Sequence, residues 1–392
     1  MICETNFMMN ETATESSMIK VIGVGGGGGN AVNYMYNNGN IQGVDMIVCN
    51  TDKQDLDKSP VKTKIQLGPI LTRGTGAGAN PEIAKESAIE SIEEIYRVID
   101  DKTEMVFITA TMGGGTGTGA APVIAKAVKD INPEILSIAV VATPFDWEGS
   151  VKMKRAMIGI ESMIPYVDSL LIIDNSKTTI HYGRLGTSEI FAKADKVLAD
   201  AVKSIADIIT HNGHINVDLA DIKTILKNSK VALIGYASAS GENRVINALE
   251  TALNAPLLRD NRVKGAQKTL FNIISPPVGS EFEVIGDELS MLTQHIEKLT
   301  GFGPEVIWGM GYDNKLTDEV VITIIFAGFD KHDETVIHIP AIPDWNAKKE
   351  ISMEITDEND IIIPDKLSPC DYSKTTCNSD TFEEIPTIDR IK

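Results

Sequence analysis

The chain has 392 residues, of which 43% are hydrophobic, enough to bury more than one core. Its net charge of -19 would repel a polyanion, which excludes nucleic acid as the main partner. No apolar run is long enough to span a bilayer, and the polar, acidic residues 1–17 lack the basic start and apolar middle of a signal peptide. We therefore expect a cytoplasmic protein with a disordered leader over residues 1–17.

The first predicted element is a strand that leads into glycines. The β-branched run at 19–24 is followed by five glycines at 25–29 and then by Asn30-Ala31-Val32, which predicts a strand, a glycine loop and a helix. The positions of Gly23, Gly25 and Gly28 match the G-x-G-x-x-G spacing of dinucleotide-binding proteins. By itself this spacing is a weak indication of function.

A second apolar run, at 44–49, ends in Asn50, Thr51 and Asp52. Polar residues at the carboxyl end of a strand are well placed to contact a nucleotide, although Asp52 fits equally well as the cap of the next turn. A small-residue loop, Gly74–Pro81, then leads into a predicted helix from Pro81 to about Ile99.

The central feature is Gly113–Gly119, which holds five glycines and two threonines in seven positions. An apolar strand at 105–108 precedes it, and residues 120–125 read as the opening of a helix with Pro122 in its first turn. Such a loop can point backbone amides and a helix dipole at an anion, which we favour over a flexible linker. It lacks the lysine of a P-loop, so phosphates would be held by amides, threonine hydroxyls and Mg²⁺.

Two further apolar strands, 135–142 and 170–173, end in the turn Thr143–Gly149 and in Asp174-Asn175. Five strands that alternate with helices predict a doubly wound parallel sheet with its ligand at the carboxyl ends of the strands. The methionines of the helix after Gly149 are interpreted as packing residues.

A long helix is predicted from Ser188 to about Thr210, with apolar residues on more than one stripe, as expected for a helix buried between two domains. We interpret His211 and His214 beyond it as surface loop residues and not as metal ligands. Asp218 and Asp221, three residues apart, could activate a water, but the spacing alone favours ordinary helix capping.

The second half has no further phosphate loop. Residues 229–330 alternate between strands and helices, which predicts a second α/β domain without its own nucleotide site. From residue 332 the composition is that of a disordered acidic linker. The end at 382–392 regains apolar residues and is either a frayed terminus or, as we prefer, a peptide that folds onto a partner. The four cysteines show no ligand spacing and are interpreted as free thiols: Cys3, Cys49, Cys370 and Cys377.

Over residues 18–330 these segments resemble FtsZ, the bacterial tubulin homologue, and the first loops look most like the Bacteroidetes versions. The resemblance rests on Gly113–Gly119, on residues 23–30, 50–52 and 76–81, and on residues 216–221. It implies a doubly wound, Rossmann-like GTPase domain, a long central helix and a second, smaller α/β domain. The implied boundaries are 18–187 for the GTP-binding domain, 188–212 for the central helix, 213–228 for a catalytic loop with its helix, 229–331 for the C-terminal domain, 332–381 for the linker and 382–392 for a docking peptide.

The resemblance also implies a GTP and GDP site. Near the base and phosphates it places Gly26, Gly27, Asn30, Asn50, Thr51 and Asp52. Near the γ-phosphate it places Ala77, Gly78, Ala79 and Asn80. Around the phosphates it places Gly113, Gly114, Gly115, Thr116, Gly117, Thr118 and Gly119. At the sugar and base it places Thr143, Pro144, Glu148 on the ribose, Asn175 and Asp195 on the guanine edge, and Phe191 stacked on the base. Lys152 stands where the family usually has an arginine, at a position implied to contact phosphate.

In the resembled family, Asn216, Asp218 and Asp221 reach the GTP of a neighbouring subunit. The implied protein is an assembly-dependent GTPase that polymerises head to tail into the protofilaments of the cell-division ring at midcell. Mg²⁺ accompanies the nucleotide, and the terminal peptide docks onto a membrane-tethering partner such as FtsA. Two competing hypotheses stay open at this point: an NAD-type oxidoreductase, and a non-hydrolysing GTP-binding scaffold in which the two aspartates only cap a helix.

Overall fold

The predicted strands of the first half form one parallel sheet in the computed structural model, which describes residues 16–39, 41, 43–176, 185–210, 213–254, 263–301 and 303–329. The predicted strands are β1 (Ile19–Val24), β2 (Val44–Asn50), β4 (Met105–Thr111), β5 (Leu136–Ala142) and β6 (Ser169–Ile173). The sequence did not predict β3 (Thr63–Gln66), a short strand that is half exposed and pairs with β2 at the sheet edge. The strand order is β3-β2-β1-β4-β5-β6, with every pair parallel.

Helices cover both faces of this sheet, as a parallel sheet requires. They are α1 (Gly25–Asn37), α2 (Lys53–Lys58), α3 (Pro81–Glu90), α4 (Ile92–Val98), α5 (Thr116–Ile131), α6 (Ser150–Met163) and α7 (Thr187–Thr210). One hydrophobic core lies between the sheet and helices α1 and α7, and a second lies between the sheet and helices α4, α5 and α6. The buried Met157 and Met163 of α6 belong to the second core, which confirms their packing role.

The same strand order continues through the second half. Its elements are α8 (Leu219–Leu226), β7 (Lys230–Ala239), α9 (Arg244–Leu253), β8 (Lys268–Ser275), α10 (Gly286–Thr300), β9 (Glu305–Tyr312) and β10 (Val320–Ala327). Strand β10 runs antiparallel between β7 and β8, and β9 pairs in parallel with β8. Only the first two residues of β6 and β7 pair with each other. The predicted α/β fold class is confirmed, while the predicted domain boundaries stay predictions.

The long central helix is confirmed as α7. It packs against α1, β5 and β7, so one helix contacts both halves of the sheet. Leu198, Val202 and Ile205 are fully buried in a core that also contains Leu270 and Ile325 from the second half. A helix that is apolar on more than one stripe therefore joins the two halves, as its pattern predicted.

The single helix predicted from Pro81 to Ile99 is wrong, because the chain breaks at Ser91 into α3 and α4. The Ser91 hydroxyl accepts a hydrogen bond from the backbone N–H of Gly68 and donates one to the carbonyl of Gln66. A serine side chain that bonds to backbone outside its own helix competes with helix continuation.

Two predicted glycine loops are largely helical. Helix α1 begins at Gly25 and α5 begins at Thr116, so Pro122 lies inside α5 and not in its first turn. These glycines allow close packing: a Cβ on Gly28 would lie 2.2 Å from the carbonyl oxygen of Thr109, and one on Gly119 only 1.9 Å from that of Pro81. The glycine density therefore serves helix packing as well as the loop before α5.

Two residues of the predicted leader, Ser16 and Ser17, make hydrogen bonds to the sheet domain. Ser17 donates hydrogen bonds to Asp45 from both its backbone and its hydroxyl, and Ser16 bonds to Asp100. The buried amine of Lys20 also bonds to Asp45, at 3.1 Å. Residues 16 and 17 are thus tied to the sheet, and residues 1–15 lie outside the described part of the chain, as do residues 330–392 with the predicted linker and docking peptide.

No helix in the described ranges is long and apolar enough to cross a membrane. Cys49, the cysteine that these ranges include, is a buried free thiol, and burial raises its pKa far above the ordinary value.

Candidate nucleotide-binding site

The predicted site segments follow the carboxyl ends of β1, β2, β4, β5 and β6. Because these strands are parallel neighbours, their carboxyl ends lie at one edge of the sheet. Gly25–Gly29, Asn50–Asp52, Met112–Gly115, Thr143–Gly149 and Asn175 are therefore brought together there.

Direct contacts join residues 50–52, 76–80 and 113–119, and Gly25 packs on Gly117, since a Cβ on Gly25 would lie 2.9 Å from the backbone nitrogen of Gly117. We define these residues together, 25–30, 50–52, 76–80 and 113–119, as the cradle. The hydroxyls of Thr51 and Thr116 lie 2.7 Å apart, and the backbone N–H of Gly76 donates to the Thr51 carbonyl. Gly115 packs on residues 77–80, since a Cβ there would lie 3.0 Å from the backbone nitrogen of Asn80 and 3.2 Å from the Cα of Ala79. The third small-residue loop is thus in contact with the central one.

Two helices start in the cradle without a side-chain hydrogen bond from the N-cap residue to their first backbone amides. The N-cap residues Val24 of α1 and Gly115 of α5 make no side-chain cap hydrogen bond, and neither first turn contains an acidic residue. The positive ends of both helices are left for an anion. Within the central loop the N–H of Gly113 is already used, because it donates to the hydroxyl of Thr118 at 2.8 Å.

The polar residues after β2 and before α3 are helix caps. Asp52 accepts hydrogen bonds from the amides of Gln54 and Asp55, which confirms its capping role at α2. Asn80 caps α3 in the same way, through the amide of Glu82. Their predicted contacts with a nucleotide stay predictions.

The predicted base pocket contains an unpaired buried acceptor. Asn175 is buried, and its Oδ1 makes no hydrogen bond within the described part of the chain. Asp195 on α7 is half-buried and bonds to Asn30, and burial raises the pKa of its carboxyl to about 6. A buried carbonyl and a desolvated carboxylate are acceptors suited to the N–H groups of a base.

An aromatic group lies beside these acceptors. Phe145 stacks on Trp147 at 4.9 Å, and the ring of Phe191 meets both edge-on, at 5.4 and 5.6 Å. Phe191 remains 42% exposed, which leaves surface for a stacked base. Sequence reasoning missed Trp147, although a tryptophan within a proline- and glycine-bounded turn was a usable signal.

The turn after β5 is held by its own residues. Glu148 accepts from the N–H of Phe145 and forms a 2.8 Å ion pair with Lys152. The buried Thr143 bonds to the end of β6, and Pro144 would contact a Cβ on Gly113. Any sugar contact of Glu148 would therefore share the carboxylate with Lys152.

The predicted catalytic residues are not in the cradle. Asp218 and Asp221 exchange hydrogen bonds at the start of α8, each carboxylate accepting the other residue's N–H, at 2.8 and 3.0 Å. Asn216 accepts from the N–H of Gly213 in the preceding turn. The capping arrangement expected from the spacing is confirmed. His214 contacts the ring of Tyr312, and His211 lies outside the described residues.

Helix α8 lies at the opposite edge of the sheet from the cradle. Lys223 pairs with Glu104, directly before β4, and Lys227 pairs with Glu134, shortly before β5. Both strands begin at that edge and end at the cradle. Strand β4 has seven residues, and at ~3.3 Å per residue its two ends are roughly 20 Å apart.

The fold and the cradle define a nucleotide-binding protein of the doubly wound α/β class. Residues 18–182 match the model of the Tubulin/FtsZ family GTPase domain, and residues 230–330 match that of the FtsZ family C-terminal domain. The cell division protein FtsZ of Porphyromonas gingivalis is 43% identical over 328 residues, covering 82% of this chain and 70% of that protein. FtsZ of Pseudomonas aeruginosa is 42% identical over 334 residues, covering 85% and 82%. The solved structure of an empty FtsZ dimer from M. jannaschii is 38% identical with a TM-score of 0.72, covering 80% of this chain and 88% of that one.

The chain belongs to the FtsZ family. It is a tubulin-type GTPase of cell division that binds GTP and GDP and assembles with copies of itself. The NAD-dependent oxidoreductase considered from the sequence is therefore wrong, since the glycine segments belong to a GTPase domain.

Proposed function

We propose that one subunit holds GTP in the cradle and that Asp218 and Asp221 of the next subunit complete the site. The observation that supports this is the separation of the two groups within one chain, by the length of a parallel strand. Carboxylates roughly 20 Å from the phosphates cannot orient a water on them. A head-to-tail contact would bring the α8 edge of one subunit onto the cradle of another, and such a contact repeats without closing, which gives filaments.

The two aspartates keep acceptor oxygens available for this chemistry. Each uses one carboxylate oxygen in the reciprocal cap, and the other oxygen makes no hydrogen bond to the described residues. Asp218 is exposed and Asp221 is half-buried. A carboxylate fixed by its cap can accept a proton from, or orient, the attacking water.

The cradle suits a guanine nucleotide with Mg²⁺. Asn175 and Asp195 would accept the N–H groups of the guanine edge, and Phe191 would stack on the ring. Among the described residues no three acidic, histidine or cysteine side chains cluster as a metal cage. Mg²⁺ commonly takes phosphate oxygens and water with one or two carboxylates, and Asp52 and Asp55 are the carboxylates beside Gly76 and Gly26.

The affinity for GTP is expected to fall as the pH decreases through about 6. Burial raises the pKa of Asp195 to about 6 in the empty site, and only the ionised carboxylate can accept guanine N–H groups with both of its oxygens. Affinity should be flat above pH 7 and fall about tenfold per pH unit well below the pKa. Fluorescence titration of a GDP analogue between pH 5 and 8 measures this, and Asp195→Asn should bind weakly with the step absent. A wild-type profile that is flat down to pH 5 would contradict the assignment of Asp195.

The cellular setting follows the family and is part of the proposal. The protein would act in the cytoplasm at midcell, with residues 382–392 docking onto a membrane-tethering protein such as FtsA. The support is the family membership and the return of apolar residues in that peptide after an acidic linker.

GTP turnover per subunit is expected to depend on protein concentration. Turnover should be near zero at high dilution and should rise above a threshold at which the protein also pellets with GTP, because the site is completed only between subunits. Phosphate release and sedimentation measured on the same samples test this, with GDP samples as the control for pelleting. Turnover per subunit that is constant down to high dilution would show that each chain is a complete enzyme.

A further inference from the structure

Helix α6 packs tightly on the central glycine loop. A Cβ on Gly159 would lie 2.6 Å from the side chain of Thr118, and one on Gly113 would lie 2.8 Å from the carbonyl oxygen of Lys152. There is no room for α6 to shift without moving the loop. Interiors packed this closely transmit displacement.

The same helix reaches the neighbouring loop of the cradle through Arg155. Its guanidinium donates a 3.0 Å hydrogen bond to the carbonyl oxygen of Ala79. Ala79 is a non-glycine residue with φ of +56°, and Gly76 and Gly78 before it also have positive φ. A non-glycine residue with positive φ is strained, and it keeps this conformation only where the surrounding structure holds it.

Few other contacts hold this loop. Its backbone bonds to Thr51 through Gly76, and the amide of Asn80 bonds within the loop to Ala77. Among the described residues, Arg155 provides the side-chain hydrogen bond that reaches residues 77–79 from outside the loop. The other contacts of the loop in the described part of the chain include the packing of Gly115 and the capping of α3 by Asn80.

We propose that Arg155 is a positioning residue that holds residues 76–80 in the conformation that meets the γ-phosphate. It rests on the proposed function and on the contact of Ala77–Asn80 with the γ-phosphate that the family resemblance implies. A loop fixed before binding loses less conformational entropy on contact with the ligand. Arg155 thereby raises the affinity for GTP and leaves that for GDP, which has no γ-phosphate, unchanged.

The effect of the Arg155 hydrogen bond can be distinguished from a general effect of positive charge on α6. Lys154 is the preceding residue on α6 and is exposed, and it carries the same charge without contacting the loop. Arg155 lines a groove of about 710 Å³ between α3, α5 and α6 that is open to solvent. A free guanidinium ion can therefore reach the place of the missing side chain in a truncated variant.

The experiment compares wild type, Arg155→Ala, Arg155→Met and the control Lys154→Ala as full-length chains. The dissociation constants of GTP and GDP are measured below the assembly threshold, and kcat and KM above it. We expect both Arg155 variants to weaken GTP about tenfold, with GDP affinity and the control unchanged. Arg155→Met keeps the aliphatic part of the side chain and its packing. The methionine variant therefore still tests the guanidinium if the alanine variant folds poorly. Guanidinium chloride at low concentration should restore GTP affinity in Arg155→Ala and not alter wild type.

Equal changes in GTP and GDP affinity, or no change in either, would overturn the role of Arg155 while the proposed function stands. A restoration that fails in a folded Arg155→Ala would also count against positioning by the guanidinium. Wild type that binds GDP and GTP equally would instead remove the γ-phosphate contact itself, and the inference with it.

Discussion

Asp221→Asn is expected to lower the GTP turnover of assembled protein by about 10²- to 10⁴-fold, the range for loss of a positioned general acid–base group. GTP binding and GTP-dependent pelleting should persist, because the cradle lies at the other edge of the sheet. Asparagine keeps an oxygen that can accept the N–H of Asp218, so the cap at α8 survives. Phosphate release per pelleted subunit is the measurement.

At Asp218 and Asp221, substitution by asparagine tests the carboxylate alone, whereas substitution by alanine also removes the cap of α8. Asp218→Ala would remove the N-cap of α8 as well as a carboxylate, at a cost of about 0.5–2 kcal/mol in stability. Asp218→Asn should reproduce the loss of turnover, and Asp287→Asn, at an exposed position in the first turn of α10, should not. If Asp221→Asn turns over GTP at the wild-type rate, the two aspartates only cap α8 and take no part in hydrolysis.

A mixing experiment tests whether the site is shared. Asp221→Asn still carries an intact cradle, and a variant impaired in the cradle still carries Asp218 and Asp221. Copolymers of the two should recover part of the turnover if the groups act across a subunit contact. Recovery is not expected if both groups must belong to one chain.

Much of the fold could be predicted from the sequence because its strands are buried on both faces. Strands such as β1 and β5 are buried along their whole length, so they read as short apolar runs between glycines and polar residues. Strand β3 was missed because it has only four residues at an edge of the sheet, of which Ile65 alone is apolar and buried. The break at Ser91 was missed because it depends on bonds to Gly68 and Gln66, which are distant in sequence.

The individual segments of the site could be predicted from the sequence, but their positions relative to one another could not. Glycine spacing indicates where a phosphate can lie, but it does not distinguish a loop from the packed first turn of α5. The spacing of Asp218 and Asp221 indicated a cap, and only the pairing of α8 with residues before β4 and β5 shows that they face away from the cradle. The raised pKa of Asp195 and the unpaired oxygen of Asn175 depend on burial, which no local pattern specifies.

Gly114→Ala is expected to weaken GTP and GDP binding by about 10- to 100-fold, the loss of one or more hydrogen bonds to a charged group. Apart from the two chain neighbours of Gly114, no atom of the described residues lies within 4 Å of its Cβ position, and its φ is not in the left-handed region. The methyl group therefore meets only the ligand, in a loop whose amides are proposed to contact phosphate. Nucleotide affinity below the assembly threshold, with thermal stability measured on the same protein, tests this.

Substitutions at the neighbouring glycines would change nucleotide affinity and protein packing together. A side chain at Gly115 would press on Asn80 and Ala77 even in the empty site, and Gly119→Ala would place its methyl group against Pro81 at a distance no folded chain accepts. Loss of binding in either variant would reflect disruption of the α3–α5 contact. Gly286→Ala in α10 also adds a methyl group in open space, outside the cradle, and should leave affinity unchanged. If Gly114→Ala behaves like that control, the phosphates do not lie against the central loop, because a methyl group there has nothing else to displace.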